Sequence, residues 1–159
     1  MRILGIDPGF ERLGIAVLEK NKADRKERIL FSECFKTEAR LPFSERLNLI
    51  GGRIRNVIKD HKPDILAIET LFLNTNQKTV MRVAEARGVV IYEAAYAGLR
   101  IFEASPPQIK VATTGYGKAD KAQIIKMVKM LIDVDEKKKS DDELDAIAIA
   151  LTAFAHLRF

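Results

Sequence analysis

Four residues near the start of the chain, Ile3-Leu4-Gly5-Ile6, are apolar or glycine throughout, and the fifth is Asp7. A strand without polar alternation has to be covered on both sides. That places it in the middle of a sheet with helices on either face. The run then breaks at Pro8-Gly9, a turn, and Leu13 to Leu18 resumes as a second strand. Arg28 to Lys36 alternates, with Ile29, Phe31 and Phe35 set against Arg28, Ser32 and Lys36, as a third strand nearer a sheet edge would. Three strands joined by short links predict an antiparallel meander.

The period changes from Phe43 onward. Leu47, Ile50, Ile54, Val57 and Ile58 recur at helical spacing up to His61, just before Pro63. DILAIE, Asp64 to Glu69, repeats the design of the first strand, an apolar run closed by a carboxylate. Val80 to Ala97 is a predicted helix and Arg100 to Ala104 a fifth strand. Ser105-Pro106-Pro107 starts a helix, with serine as N-cap and proline where a missing N–H costs nothing. Thr113 to Lys118 reads as a loop. Asp120 to Gln123 has the D-x-x-Q form of a cap and opens a helix to about Ile132. Ser140 to Arg158 is the last helix. The order β-β-β-α-β-α-β-α-α predicts a single-domain α/β fold. Its five-stranded mixed sheet has helices on both faces, and strands four and five run parallel to the first.

Parallel neighbours bring their C-terminal ends together, so Asp7 and Glu69 converge where open α/β sheets gather ligands. Either acid alone is as well explained by a turn. The last helix adds two more. In SDDELD, Ser140 is the N-cap and Glu143 its capping-box partner, which fixes Asp142 and Asp145 on one face. The helix dipole accounts for Asp141, Asp142 and Glu143 without any function. It accounts poorly for Asp145, which lies deeper, against AIAIALTAFA, where an unpaired charge is costly. Four carboxylates in one place repel one another unless a cation or protons intervene. Oxygen-only ligands select Mg²⁺ or Mn²⁺, the equipment of two-metal phosphodiester hydrolysis.

The bulk properties agree with a nucleic-acid partner. Lysine and arginine total 27 against 22 acids, and Ser105 to Lys139 alone holds eight lysines against four acids. Such a segment is either a solvated helix face or a surface for a polyanion. The single Cys34 excludes an internal disulfide, and with His61 and His156 it has no zinc-site spacing. The apolar residues before Asp7 are too few for a signal peptide, and Ala146 to Ala155 is too short to span a bilayer. A cytoplasmic chain without a membrane partner is expected.

With these acids in place the sequence resembles the RuvC family of Holliday junction resolvases, within the RNase H-like fold. GIDPGFERLGIAV, AIETLF, AEARGVV, SPPQIKVATTGYGKADKAQ and DELDAIAIA match family segments in order. The resemblance implies a dimeric, Mg²⁺-dependent endonuclease, with two ions per site and Mn²⁺ as a substitute. It would nick opposed strands of a four-way junction, leaving 5′-phosphate and 3′-hydroxyl ends, in recombination and repair. A branch-migration motor complex would be a further partner. It matches Asp7, Glu69, Asp142 and Asp145 to the catalytic, metal-binding acids. It matches Phe72, Lys110 and Lys121 to DNA contacts; Lys118, in the glycine loop, is a candidate phosphate contact on its charge alone, and Arg87 falls in a matched segment where an internal ion pair serves equally well. Thr70 departs from the glutamine frequent after the second acid. Val80 to Ala97, richer in small and apolar residues than one face needs, is the candidate dimer interface. Three rivals share parts of this pattern. They are an RNase H-like nuclease acting on RNA–DNA hybrids or flaps, an actin-like ATPase, for which the chain is too short, and a non-catalytic DNA-binding module.

Overall fold

The computed structural model describes residues 1–21, 26–71, 77–134 and 139–157, with side chains of the third segment described from Thr79 onward. β1 (Arg2–Asp7), β2 (Arg12–Glu19) and β3 (Arg28–Lys36) form the antiparallel meander. β4 (Ile65–Glu69) and β5 (Arg100–Ala104) add in parallel on the other side of β1. The order across the sheet is β3-β2-β1-β4-β5, so the first strand, buried on both faces, is central and the alternating one is an edge.

Helices cover both faces. α1 (Phe43–His61) and α2 (Gln77–Tyr96) pack on one, over Leu4, Ile6, Ile15, Val17, Leu66 and Ile68. α3 (Pro106–Thr114), α4 (Lys121–Leu131) and α5 (Asp141–His156) pack on the other, over Ile3, Ala16, Leu18, Ile65 and Ala67. Consecutive strand residues point to opposite faces. Ile3, Gly5 and Asp7 therefore share the α5 side, as do Ile65, Ala67 and Glu69. Ile3 pairs with Ile65 and Ile6 with Ile68, so continuing the register sets Asp7 beside Glu69. Parity and register together aim both acids at the same helix.

The helix boundaries follow local chemistry. α1 stops at Lys62, which adopts the left-handed conformation (φ 48°) and donates its N–H to the Ile58 carbonyl, ahead of Pro63. Ser105 with Gln108, Asp120 with Gln123 and Ser140 with Glu143 each form a complete capping box. The Ser105, Asp120 and Ser140 starts each open a separate helix, so three helices follow β5, one more than the predicted element order has. α3 continues to Thr114, into the expected loop, and ends at Gly115 in the left-handed conformation. α2 begins three residues before Val80, and α5 ends at His156 rather than Arg158, which lies outside the described residues. No helix among the described residues is long and apolar enough to cross a membrane.

Candidate active site

Two glycines let α5 lie close against the sheet. A Cβ at Gly5 would come within 2.2 Å of the Ala146 carbonyl oxygen, and one at Gly14 within 2.1 Å of the Asp142 carbonyl oxygen. Gly14 also pairs across the strands with Asp7. The N-terminal turns of α5 can settle beside Asp7 only because these two positions have no side chain. The capping box fixes the rotation of α5, and Glu143 adds an anchor to β3, since its carboxylate accepts from Ser32 Oγ at 2.7 Å. Burial works to raise the Glu143 carboxyl. Hydrogen bonds from Ser140 and Ser32 outweigh it and hold the group below its usual range.

Asp7, Glu69 and Asp145 line one cavity of about 270 Å³, together with Lys110 and Lys121. Burial first, then repulsion from Asp145, Glu69 and Asp142, push the Asp7 carboxyl up to about 7, with Lys121 pulling the other way. Burial and Asp145 raise Glu69 as well. Burial also raises Asp145, against the hydrogen bond it receives from Lys121 Nζ at 2.9 Å. That bond in turn raises the Lys121 ammonium. The acids are crowded and desolvated, and a cation relieves what they suffer.

Asp142 stands apart from the cavity lining. Its Oδ2 is 2.5 Å from the Arg12 guanidinium and accepts from Cys34 Sγ at 3.3 Å. Cys34 is thus a hydrogen-bond donor at the edge of the site. Arg12, at the start of β2, is a site residue that the sequence pattern does not disclose. Its partner lies far along the chain, and no spacing rule connects the two.

Among the expected DNA contacts, Lys110 and Lys121 lie at the acid cavity, and Lys118 is exposed on the loop between α3 and α4. Phe72 lies outside the described residues. Arg87 is committed internally. Its Nε donates to the Glu69 carbonyl oxygen at 2.9 Å, its guanidinium pairs with Glu103, and its side chain is only 16% exposed. Of the two sequence readings of Arg87, the internal ion pair is the one its contacts fit. It ties the acid-bearing end of β4 to α2 and β5.

The comparisons with known proteins agree on one family. The family model for "Crossover junction endodeoxyribonuclease RuvC" matches residues 3–153. The crossover junction endodeoxyribonuclease RuvC of Desulfitobacterium hafniense is 44% identical over 151 residues, which is 95% of this chain and 90% of that protein. The RuvC of Thermosipho melanesiensis is 40% identical over the full length of both chains. Among solved structures, T. thermophilus RuvC in complex with Holliday junction substrate superposes with a TM-score of 0.92 at 33% identity, covering 99% of this chain and 95% of that one.

Proposed function

The chain belongs to the RuvC family of crossover junction endodeoxyribonucleases, and from that premise we propose that it resolves four-way DNA junctions by metal-assisted hydrolysis at Asp7, Glu69, Asp142 and Asp145. The observation that carries the site is the convergence of Asp7, Glu69 and Asp145 on one cavity, with Asp7 raised to about 7 by burial and by its neighbours.

The donor set fits a hard divalent cation in its chemistry: carboxylate oxygens only, mutually repelling and partly desolvated. As the side chains stand, no three described His, Cys, Asp or Glu residues form a ready-made ligating group. Lys121 draws Asp145 and Arg12 draws Asp142, so side-chain cations occupy the places where the acids need positive charge. We assign Asp7, Glu69, Asp145 and Asp142 as the residues that would hold Mg²⁺, two ions per site, with Mn²⁺ as a substitute. When bound, such ions supply an acidified water as nucleophile and stabilise the leaving 3′-oxygen.

The chain's own groups do the rest. Asp7, on the central strand between β4 and α5, is the acid shared by the whole cluster. Arg87 fixes the backbone of Glu69. Lys121 neutralises Asp145 and, half exposed, keeps donors for a phosphate oxygen; Lys110 stands beside it. These lysines offset the repulsion that an acidic cleft exerts on DNA. Lys118, exposed on its loop, extends the contact surface, and Phe72, outside the described residues, is assigned to the bases at the junction centre. Cleavage leaves 5′-phosphate and 3′-hydroxyl ends and serves recombination and repair in the cytoplasm, with a branch-migration motor feeding the junction.

A two-fold symmetric junction calls for a two-fold enzyme. We place the homodimer interface on α2. Met81, Tyr92 and Tyr96 are exposed there, Tyr92 and Tyr96 stack at 6.1 Å, and Gly88 has open space where a Cβ would be. The test of the reading is cleavage of a mobile four-way junction beside a linear duplex and an RNA–DNA hybrid, in Mg²⁺ or EDTA. Metal-dependent paired nicks in the junction are expected. Preferential cutting of the hybrid would move the same acids to a different substrate.

A further inference from the structure

The acid cavity does not end at the acids. It shares Glu69 and Pro106 with a second cavity of about 290 Å³, which runs toward the start of α2. That one shares Thr79 with a third, of about 470 Å³, lined by Phe10, Met81 and Arg82. The depressions therefore cross the C-terminal edge of β1 and β4. They lead from the α3–α4 side, where Lys110 and Lys121 stand, to the α1–α2 side, where Arg82 stands.

The far end is built around one fixed ring. The Phe10 carbonyl accepts from Thr37 Oγ1 at 2.5 Å and from the buried Arg46 guanidinium at 3.1 Å. The Phe10 ring meets Phe43 edge-on at 5.8 Å, and the Arg46 guanidinium lies 4.9 Å from its centre. Arg82 lies 5.8 Å from the Phe10 centroid and 5.2 Å from that of Phe43. Arg46 is structural, being buried and hydrogen-bonded to Thr37. Arg82 is different. It is exposed, the two rings hold it, and among the described residues no carboxylate pairs with it. A guanidinium held by ring contacts keeps its full charge and its N–H donors, and the rings reduce the freedom it loses on binding an anion.

We propose that Arg82, positioned by Phe10 and Phe43, binds a backbone phosphate of the DNA strand that passes over the acids. The strand would thus be gripped on both sides of the cut, by lysines from one helix layer and by an arginine from the other. This inference rests on the junction-cleaving reading above, and it adds a contact and a path for the strand across the sheet edge.

The test is binding of a fluorescent four-way junction in EDTA across a salt series, by wild type, Arg82→Gln and Arg82→Lys. Removing one cationic side chain from a DNA phosphate lowers the slope of log affinity against log salt by about 0.9. Arg82→Gln is expected to lower it by about that amount for each protomer engaged and to weaken binding several-fold, with the metal-free Tm unchanged. Arg82→Lys, which keeps the charge, is expected to retain most of the slope. Wild-type affinity and slope in Arg82→Gln would overturn the subsite and leave the function standing. An equal loss in Arg82→Lys and Arg82→Gln would overturn it too, because the residue would then act through its packing. Wild type that fails to bind the junction would overturn the subsite and the functional reading together.

Discussion

Asp7 carries most of the electrostatic tension in the site, and the sign of its effect on stability can be worked out. Its carboxyl is raised from 3.8 to about 7 in the folded chain. A raised acid binds its proton more tightly when folded. Its stabilising contribution is present below the unfolded value and is lost as pH rises through about 7. The cost at pH 8 is about 2–4 kcal/mol, shared with the coupled Glu69 and Asp145 carboxyls. Asp7→Asn is therefore expected to raise the metal-free Tm at pH 8 and to flatten its fall between pH 5 and 8, as read by thermal denaturation in EDTA. A lower Tm at pH 8 would mean that Asp7 is held by a partner that the charge account omits. Asp145→Asn should abolish cleavage, with a smaller gain in metal-free Tm, because Lys121 loses the negative charge it pairs with at 2.9 Å and keeps only a neutral amide oxygen as acceptor.

Among the elements, α5 and β4 decide whether the acids meet. A methyl group at Gly14 has to displace the Asp142 carbonyl, and so the first turn of α5. Gly14→Ala is expected to cost about 3 kcal/mol and to reduce cleavage beyond what the lower stability explains, measured at a temperature where the variant stays folded. Arg87 makes the corresponding case on β4. Arg87→Ala should lower the single-turnover cleavage rate by about 10- to 100-fold, the usual loss when a supporting partner of a metal ligand is removed, with junction affinity kept. A loss of affinity without a loss of rate would return Arg87 to the DNA surface. The sequence reveals the elements well, since the apolar runs of β1 and β4 and the three capping boxes are local signals. The convergence of Asp7 with Glu69 is legible too, because two parallel strands end alike. The Arg12–Asp142 pair and the Arg87 anchor are not. Both join residues through the tertiary fold, and a charged residue in the sequence carries no sign of whether it faces DNA or a neighbouring carboxylate. The two glycines that seat α5 look like ordinary strand glycines until the helix is placed over them.

At the scale of the whole molecule, paired cuts require two sites at a set spacing, and α2 presents the exposed stripe that would supply it. Sedimentation at micromolar concentration should give a dimer, and Tyr96→Glu should shift it toward monomer. The monomer is expected to cut one strand without coordinating the second; a wild-type monomer would remove α2 from the account. The central claim is narrower, that the carboxylates gathered by β1, β4 and α5 are the catalytic centre of a junction endonuclease. The most direct measurement is single-turnover cleavage of a pre-bound four-way junction in Mg²⁺ by wild type and Asp7→Asn, with junction affinity measured in parallel. The account predicts that the variant binds at least as tightly as wild type and does not cut. Cleavage by Asp7→Asn at a rate near that of wild type would contradict it.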